Sequence, residues 1–161
     1  MKILLVGEFS RLHNSLKEGL LALNQEVNIL GTGDDFKEFP VDYSIAPRFI
    51  LSSSLLMLIN KVFFKLFKSD LRLLERGIRF YLLLPKLKNY DLVQLINTDA
   101  KETDPFANRF LLNKLFKQNK KISLLICGEE TPIIEYLLKK EMKYSILSPL
   151  FADQKLKKNF N

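Results

Sequence analysis

KILLVGEFSRLHNSLKEGLLALN, residues 2–24, is the stretch of sequence that decides the fold. The continuous apolar run up to Val6 favours a strand that is covered on both faces, as in a parallel sheet. Gly7 interrupts this run, and Ser10 stands where the N-cap residue of a helix belongs. Leucines follow at helical spacing, namely Leu12, Leu16, Leu20 and Leu23. The stretch therefore predicts a buried strand, a loop over residues 7–10 and a helix that is capped by Ser10.

Strand and helix signals alternate along the rest of the chain in the same way. The predicted strands cover residues 2–6, 26–30, 41–45, 91–96 and 122–126. After the first helix, two helices are predicted within residues 51–87, separated by a break near residue 69. A further helix is predicted to begin at residue 105, and another covers residues 132–140. This order predicts an α/β fold of three layers, a Rossmann-like parallel sheet with helices on both faces. A length of 161 residues suits a single domain over residues 1–161.

The composition narrows the class of partner and the compartment. A formal net charge of +7 favours acidic partners, namely phosphorylated small molecules, anionic membrane surfaces or nucleic acid. Cys127 is the only cysteine, so the chain can form neither an intrachain disulfide nor a structural zinc site of Cys and His ligands. Met1 leads straight into the first strand without a cleavable apolar segment. We therefore expect a cytoplasmic protein without a bound metal.

The first candidate site is the loop of Gly7, Glu8, Phe9 and Ser10. Ligands of open parallel sheets bind beyond the carboxyl ends of the strands, and a helix N-terminus at that place favours anionic groups. This loop has one glycine where a dinucleotide fingerprint has three, and every α/β domain needs a turn here, so a purely structural turn is the alternative. His13, the only histidine, could reach a phosphate or a hydroxyl, or it could be a solvated helix residue.

A second candidate surface lies on the helices predicted between residues 55 and 82. The first helix is apolar except for a few residues and is too short to span a bilayer, which takes about 20 apolar residues. In the second helix, Leu71, Leu74, Ile78, Tyr81 and Leu82 are predicted to form one side. The basic residues of the pair are Lys61, Lys65, Lys68, Arg72, Arg76 and Arg79. They could bind an anionic membrane surface, or they could be the solvated face of two core helices.

Three segments resemble the N-terminal domain of GT-B fold glycosyltransferases of family 4, or group 1, type. Residues 2–30, KILLVGEFSRLHNSLKEGLLALNQEVNIL, resemble the opening strand, loop and helix, which lead through an "L…L…hEV.lL" pattern into the second strand. Residues 90–96, YDLVQLI, resemble the "(Y/P)D(V/I)(V/I)H.H" strand of that family. Residues 121–130, KISLLICGEE, occupy the place of the strand that usually reads "P.V.T.HD".

The resemblance implies a glycosyltransferase that moves a sugar from a nucleotide-sugar donor to a glycan or lipid-linked acceptor. The acceptor would bind mainly this domain, and the donor would bind a C-terminal domain of the same protein, so this chain alone is expected to be inactive and needs no cofactor. The resemblance implies cleft residues of two kinds. Gly7, Glu8, Phe9 and Ser10 would form the loop that faces the donor diphosphate, and Asn97, Thr98 and Asp99 would lie on the acceptor side, with His13 and Gly128 as further cleft residues. Residues 127–129 stand where many relatives keep a histidine, so the catalytic residue is not carried over. Glu129 or Glu130 could orient an acceptor hydroxyl, or both could cap the next helix.

Two other functions remain open from the sequence. A stand-alone nucleotide- or phosphate-binding module of flavodoxin-like type would use the same strand ends and would bind its ligand without a partner domain. Nucleic-acid binding is suggested by charge alone, because the phenylalanines are not interleaved with the basic residues and no recognised motif is present. We therefore rank nucleic acid last among the partners.

Overall fold

The computed structural model describes residues 1–34, 37–67, 69–97, 105–125 and 134–137. The chain divides into two compact units, residues 1–125 and residues 126–161. In the second unit, the four described residues 134–137 are helical. All of the elements below belong to the first unit.

The first unit alternates strands and helices in the predicted order. The strands are β1 (Lys2–Val6), β2 (Glu26–Gly31), β3 (Tyr43–Ser44), β4 (Leu92–Leu95) and β5 (Ile122–Leu124). The helices are α1 (Leu12–Ala22), α2 (Arg48–Leu51), α3 (Ser54–Phe67), α4 (Leu71–Leu83) and α5 (Pro105–Lys117), and a 3₁₀ turn covers Leu84–Lys86. All five predicted strands are present, and the predicted helix break near residue 69 separates α3 from α4.

The five strands form one parallel sheet in the order β3-β2-β1-β4-β5. β1 lies at the centre, where Val6 is in register with Leu30 of β2 on one side and with Leu95 of β4 on the other. The chain therefore builds the sheet in one direction as far as β3 and then resumes on the opposite side of β1. This topology confirms the predicted Rossmann-like α/β fold.

Two apolar clusters cover the two faces of the sheet. Ile3 and Leu5 of β1 pack on one face, where Leu20 of α1 joins them. Leu4 and Val6 point to the other face and pack in the larger cluster, whose members come from α4, the 3₁₀ turn and α5 as well as the sheet. The strands alternate their side chains between these two layers, as the continuous apolar pattern of β1 predicted.

α4 faces the core with the side opposite to the predicted one. Phe80 is completely buried in the larger cluster and Arg76 is only 9% exposed, whereas Leu74 and Ile78 are 55% and 52% exposed. Both sides of this helix carry residues three and four apart that could pack, so periodicity alone did not select the side that does. The prediction that Arg76 lies on a solvent- or membrane-facing surface is therefore wrong.

Candidate functional site

The candidate site lies at the point where the order of the sheet reverses, between the carboxyl ends of β1 and β4. Open parallel sheets bind ligands in the crevice at this point. The register of Val6 with Leu95 continues beyond the strands, because the Ile96 N–H donates to the Val6 carbonyl at 3.0 Å. Glu8 and Asn97, each two residues further along, therefore stand on neighbouring strand ends.

Glu8 presents a buried carboxylate at this crevice and is only 7% exposed. Its Oε2 accepts hydrogen bonds from the backbone N–H of Asn14, at 2.9 Å, and from the side-chain amide of Asn14. Its other oxygen, Oε1, is buried and has no hydrogen-bond partner within the described part of the chain. A buried polar atom without a partner costs about 1–3 kcal/mol, so Oε1 is a place where a donor would bind favourably.

Asn97 adds a second hydrogen-bond acceptor of the same kind. In the assigned orientation of its amide, Oδ1 is buried and, among the residues that the structure describes, finds no partner. Carboxylate and amide oxygens accept hydrogen bonds, whereas the oxygens of a phosphate dianion offer no donor to them. The pair of Glu8 and Asn97 therefore selects a ligand with hydroxyl or amino donors.

His13 supports the loop from inside the protein. The ring is completely buried, its Nδ1 lies 2.6 Å from the Gly7 carbonyl oxygen, and its Nε2 lies 3.5 Å from the side-chain nitrogen of Gln94 in β4. Burial lowers the pKa of His13 below its usual value of 6.5. The neutral ring with a proton on Nδ1 fits these contacts, because it donates to the carbonyl and leaves Nε2 to accept. His13 thus positions the loop. The completely buried ring contradicts the alternative of a solvated helix residue and also leaves no exposed nitrogen for the predicted contact with a phosphate or hydroxyl.

The loop between β1 and α1 is held in a left-handed conformation. Gly7 has a φ of +87°, and Ser10 and Arg11 have φ values of 49° and 66°. α1 begins at Leu12 after Arg11, the N-cap residue, whose side chain makes no capping hydrogen bond. The prediction that Ser10 is the N-cap is therefore wrong. Glu8 takes over the role, because its carboxylate receives the N–H of Asn14 in the first turn.

A second loop, which follows β2, braces the first one. The Asp34 carboxylate accepts from the Ser10 N–H at 2.8 Å and from the Lys37 ammonium at 2.7 Å, and the latter contact lowers the pKa of Asp34. Lys37 also reaches the Ser10 hydroxyl at 3.2 Å and lies 5.5 Å from the centre of the exposed Phe9 ring. The loop residues predicted for the cleft are thus brought together, with Phe9 outward and Glu8 inward.

Several candidate residues lie elsewhere. Thr98, Asp99, Gly128, Glu129, Glu130 and Lys68 fall outside the described residues. Lys61, Lys65 and Arg72 are exposed, although Arg72 pairs with Asp70 at 2.6 Å. Arg79 is half-buried and pairs with Glu75 at 2.8 Å.

Sequence reasoning missed a polar pocket of about 1080 Å³ beside β2 and β3. Thr32 and Ser44 line it at the ends of those strands, and three guanidinium groups line it from the helices. The arginines are Arg48, Arg72 and Arg76. The sequence could have indicated this pocket through Arg72 and Arg76, which are four residues apart on one helix and therefore share a face. Neither Glu8 nor Asn97 lines this pocket, where the three arginines outnumber the two acidic lining residues, Glu38 and Asp70.

The described residues hold no group of three or more His, Cys, Asp or Glu side chains that could bind a metal ion. Comparisons of the chain with protein families, curated proteins and solved structures found no match. The geometry of the two strand ends is therefore the main indication of function.

Proposed function

We propose that the chain is the acceptor-side, N-terminal domain of a cytoplasmic GT-B glycosyltransferase, and that Glu8 and Asn97 bind hydroxyl groups of its acceptor. The observation that carries the proposal is the pair of buried acceptor atoms, Glu8 Oε1 and Asn97 Oδ1, which lack partners among the described residues. Sugars present several hydroxyl donors on neighbouring carbons. The Rossmann-like sheet and the resemblance of residues 2–30 to that family support the same function.

The backbone of the loop supports an acceptor at this place more than the donor diphosphate. Phosphate binding at a helix N-terminus uses N–H groups that have no partner in the protein. Here the N–H groups of Gly7, Ser10 and Asn14 already donate to the Leu30 carbonyl, the Asp34 carboxylate and the Glu8 carboxylate. Glu8 would also repel a phosphate. The diphosphate of a nucleotide sugar would instead bind the C-terminal domain.

Glu8 is suited to orient a hydroxyl for transfer. Asn14 fixes one oxygen of the carboxylate at the N-terminus of α1, so the other oxygen has a defined position. A hydroxyl that donates to Oε1 would present its lone pairs to the anomeric carbon of the donor sugar, which loses the nucleotide as its leaving group. The proton of that hydroxyl already points at Oε1, so Glu8 itself would accept it as the general base when the bond to the nucleotide breaks.

The test measures saccharide binding by saturation-transfer NMR on the whole chain. A panel of mono- and disaccharides is compared with nucleotides and nucleotide sugars. Glu8→Gln preserves the shape of the side chain but removes a charged acceptor, which is worth about 1.5–3 kcal/mol, so saccharide affinity should fall about tenfold to a hundredfold. Glu18→Gln is the matched control, because Glu18 is an exposed residue of α1 that pairs with Arg11.

Two results would contradict the proposal. The first is a folded chain that binds no saccharide, or one whose binding falls equally in Glu8→Gln and Glu18→Gln. The second is sugar transfer by this chain alone when it is given a nucleotide sugar and an acceptor, because the proposal makes it half of the catalytic unit.

A second candidate, the stand-alone phosphate- or nucleotide-binding module, is favoured by the pocket of three arginines. It predicts that a nucleotide binds the chain alone. Arg48→Gln would weaken that binding, and Glu8→Gln would leave it unchanged. The same NMR panel therefore separates the two functions.

A further inference from the structure

α3 exposes apolar side chains along one broad stripe and also at Phe64 on the opposite side of the helix. Six large apolar residues of this helix are at least 46% exposed: Leu55, Leu58, Ile59, Val62, Phe64 and Leu66. Val62 and Phe64 are two residues apart and so point to nearly opposite sides of the helix, about 200° apart. Asn60, in contrast, is 9% exposed and bonds the N–H of Leu71 and the side chain of Asp70, which turns this side of α3 toward α4.

α4 extends the apolar surface because its leucine-rich side faces outward. Leu74, Ile78 and Leu82 follow every fourth position and are 55%, 52% and 68% exposed. Together with Ile59 of α3, they line an open groove of about 550 Å³. Monomeric proteins seldom expose continuous apolar patches of this kind unless the patch binds a partner. We define these exposed residues of α3 and α4 as the apolar ridge.

The charges next to the apolar ridge are cationic. Lys61 and Lys65 are exposed and come one residue before Val62 and Leu66, so each lies about 100° round the helix from a residue of the ridge. α3 contains no acidic residue. On α4, Glu75 is paired with Arg79, and Asp70, its N-cap residue, is paired with Arg72. The surface therefore carries exposed positive charge beside exposed apolar groups.

We propose that the apolar ridge docks on the surface of an anionic lipid bilayer. An interfacial helix buries its apolar face at the boundary of lipid headgroups and acyl chains while basic side chains beside that face reach the headgroups, and the exposed lysines next to the ridge fit this arrangement. Val62 and Leu66, which share the exposed stripe, would be immersed, and the two lysines would extend to the lipid phosphates. Every described helix falls short of the length and apolar content needed to cross a bilayer, so the contact is peripheral. This inference does not depend on the proposed transfer activity.

The test is co-sedimentation of the whole chain with vesicles of phosphatidylcholine alone or mixed with phosphatidylglycerol. We expect preferential binding to the anionic vesicles. Lys61→Gln/Lys65→Gln should weaken that binding about fivefold for each lysine and leave the weak binding to neutral vesicles unchanged. Leu58→Gln/Leu66→Gln should weaken binding to both. The matched controls change exposed residues away from the ridge, Lys117→Gln/Lys121→Gln for charge and Leu23→Gln for apolar surface.

Circular dichroism of each variant shows whether the fold is retained, and folded variants alone are compared. Equal binding to neutral and anionic vesicles would overturn the proposal, as would an equal loss of binding in the control variants. Sedimentation velocity without lipid adds an independent result. A dimer that dissociates in Leu58→Gln/Leu66→Gln, in a chain that does not bind vesicles, would show that the ridge joins two copies and would overturn the proposal.

Discussion

Replacing Glu8 with alanine separates the two roles of this carboxylate. The change removes both hydrogen bonds that Asn14 donates to Oε2. The lost helix cap is worth about 1 kcal/mol, the side-chain hydrogen bond about another 1 kcal/mol, and the interaction with the helix dipole about 0.5 kcal/mol. The same change also removes the buried Oε1, and this relieves about 1–2 kcal/mol. We therefore expect Glu8→Ala to lower the free energy of unfolding by only about 1 kcal/mol.

Urea denaturation followed by circular dichroism measures this difference, with Glu18→Ala as the control for loss of a carboxylate on α1. The control should change the midpoint little, because Glu18 is exposed and its ion pair with Arg11 is solvated. A loss of more than about 3 kcal/mol in Glu8→Ala would refute the reasoning, since Oε1 would then be contributing to the fold rather than awaiting a donor. An increase in stability would show instead that Oε2 does not cap α1.

Two further predictions concern the same loop. Gly7→Ala places a Cβ on a residue with a φ of +87°, which should destabilise the chain by about 1–2 kcal/mol. Gly19→Ala in α1 should instead stabilise the chain by up to about 1 kcal/mol, because an added Cβ meets nothing within 4 Å there. Thermal denaturation of the two variants tests these opposite signs. The pKa of His13 is lower in the folded chain than its usual 6.5, so the unfolded state binds the extra proton and stability should fall as the pH drops below 6.5. Urea midpoints between pH 7.5 and pH 5 measure this slope, which His13→Gln should remove; a slope that persists in the variant would assign it to another group.

The sequence was sufficient for the sheet because each strand is short, apolar and followed by a turn residue. β1 and β2 lie within one residue of their predicted bounds. β3 is shorter than predicted, and the Asp42 side chain explains part of the difference, because its carboxylate accepts the Ile29 N–H at 2.6 Å where a strand would offer a carbonyl. A side chain that replaces a backbone carbonyl as hydrogen-bond acceptor leaves no recognisable sequence pattern, so the early end of β3 could not be predicted.

The orientation of α4 could not be predicted, because the side that packs is chosen by the surface it meets. Phe80 fills the space over the sheet, and this choice turns Leu74 and Ile78 outward in spite of their spacing. Periodicity identifies a helix and its two sides, but the fit of one large ring against β1 and β4 decides between them.

The sequence predicts a candidate site at the strand ends, where oxygens of Glu8 and Asn97 lack partners within the described part of the chain, but it did not predict the chemistry of these groups. A helix N-terminus near Ser10 suggested an anion site. Glu8, four residues before the first residue of α1, instead brings its own carboxylate to that N-terminus. A capping residue this far upstream has no fixed spacing rule, because the left-handed residues Ser10 and Arg11 fold the loop back on itself.

The contact of Asp34 with both Ser10 and Lys37 has a mechanical consequence. One carboxylate joins the loop after β1 to the loop after β2, so moving either loop alone would break the hydrogen bond between Ser10 and Asp34. A ligand at the strand ends would therefore contact loops that are already ordered, and the protein would lose little conformational freedom on binding it. Selectivity at such a site would come from the fit of the ligand to preformed loops rather than from closure of the loops around the ligand.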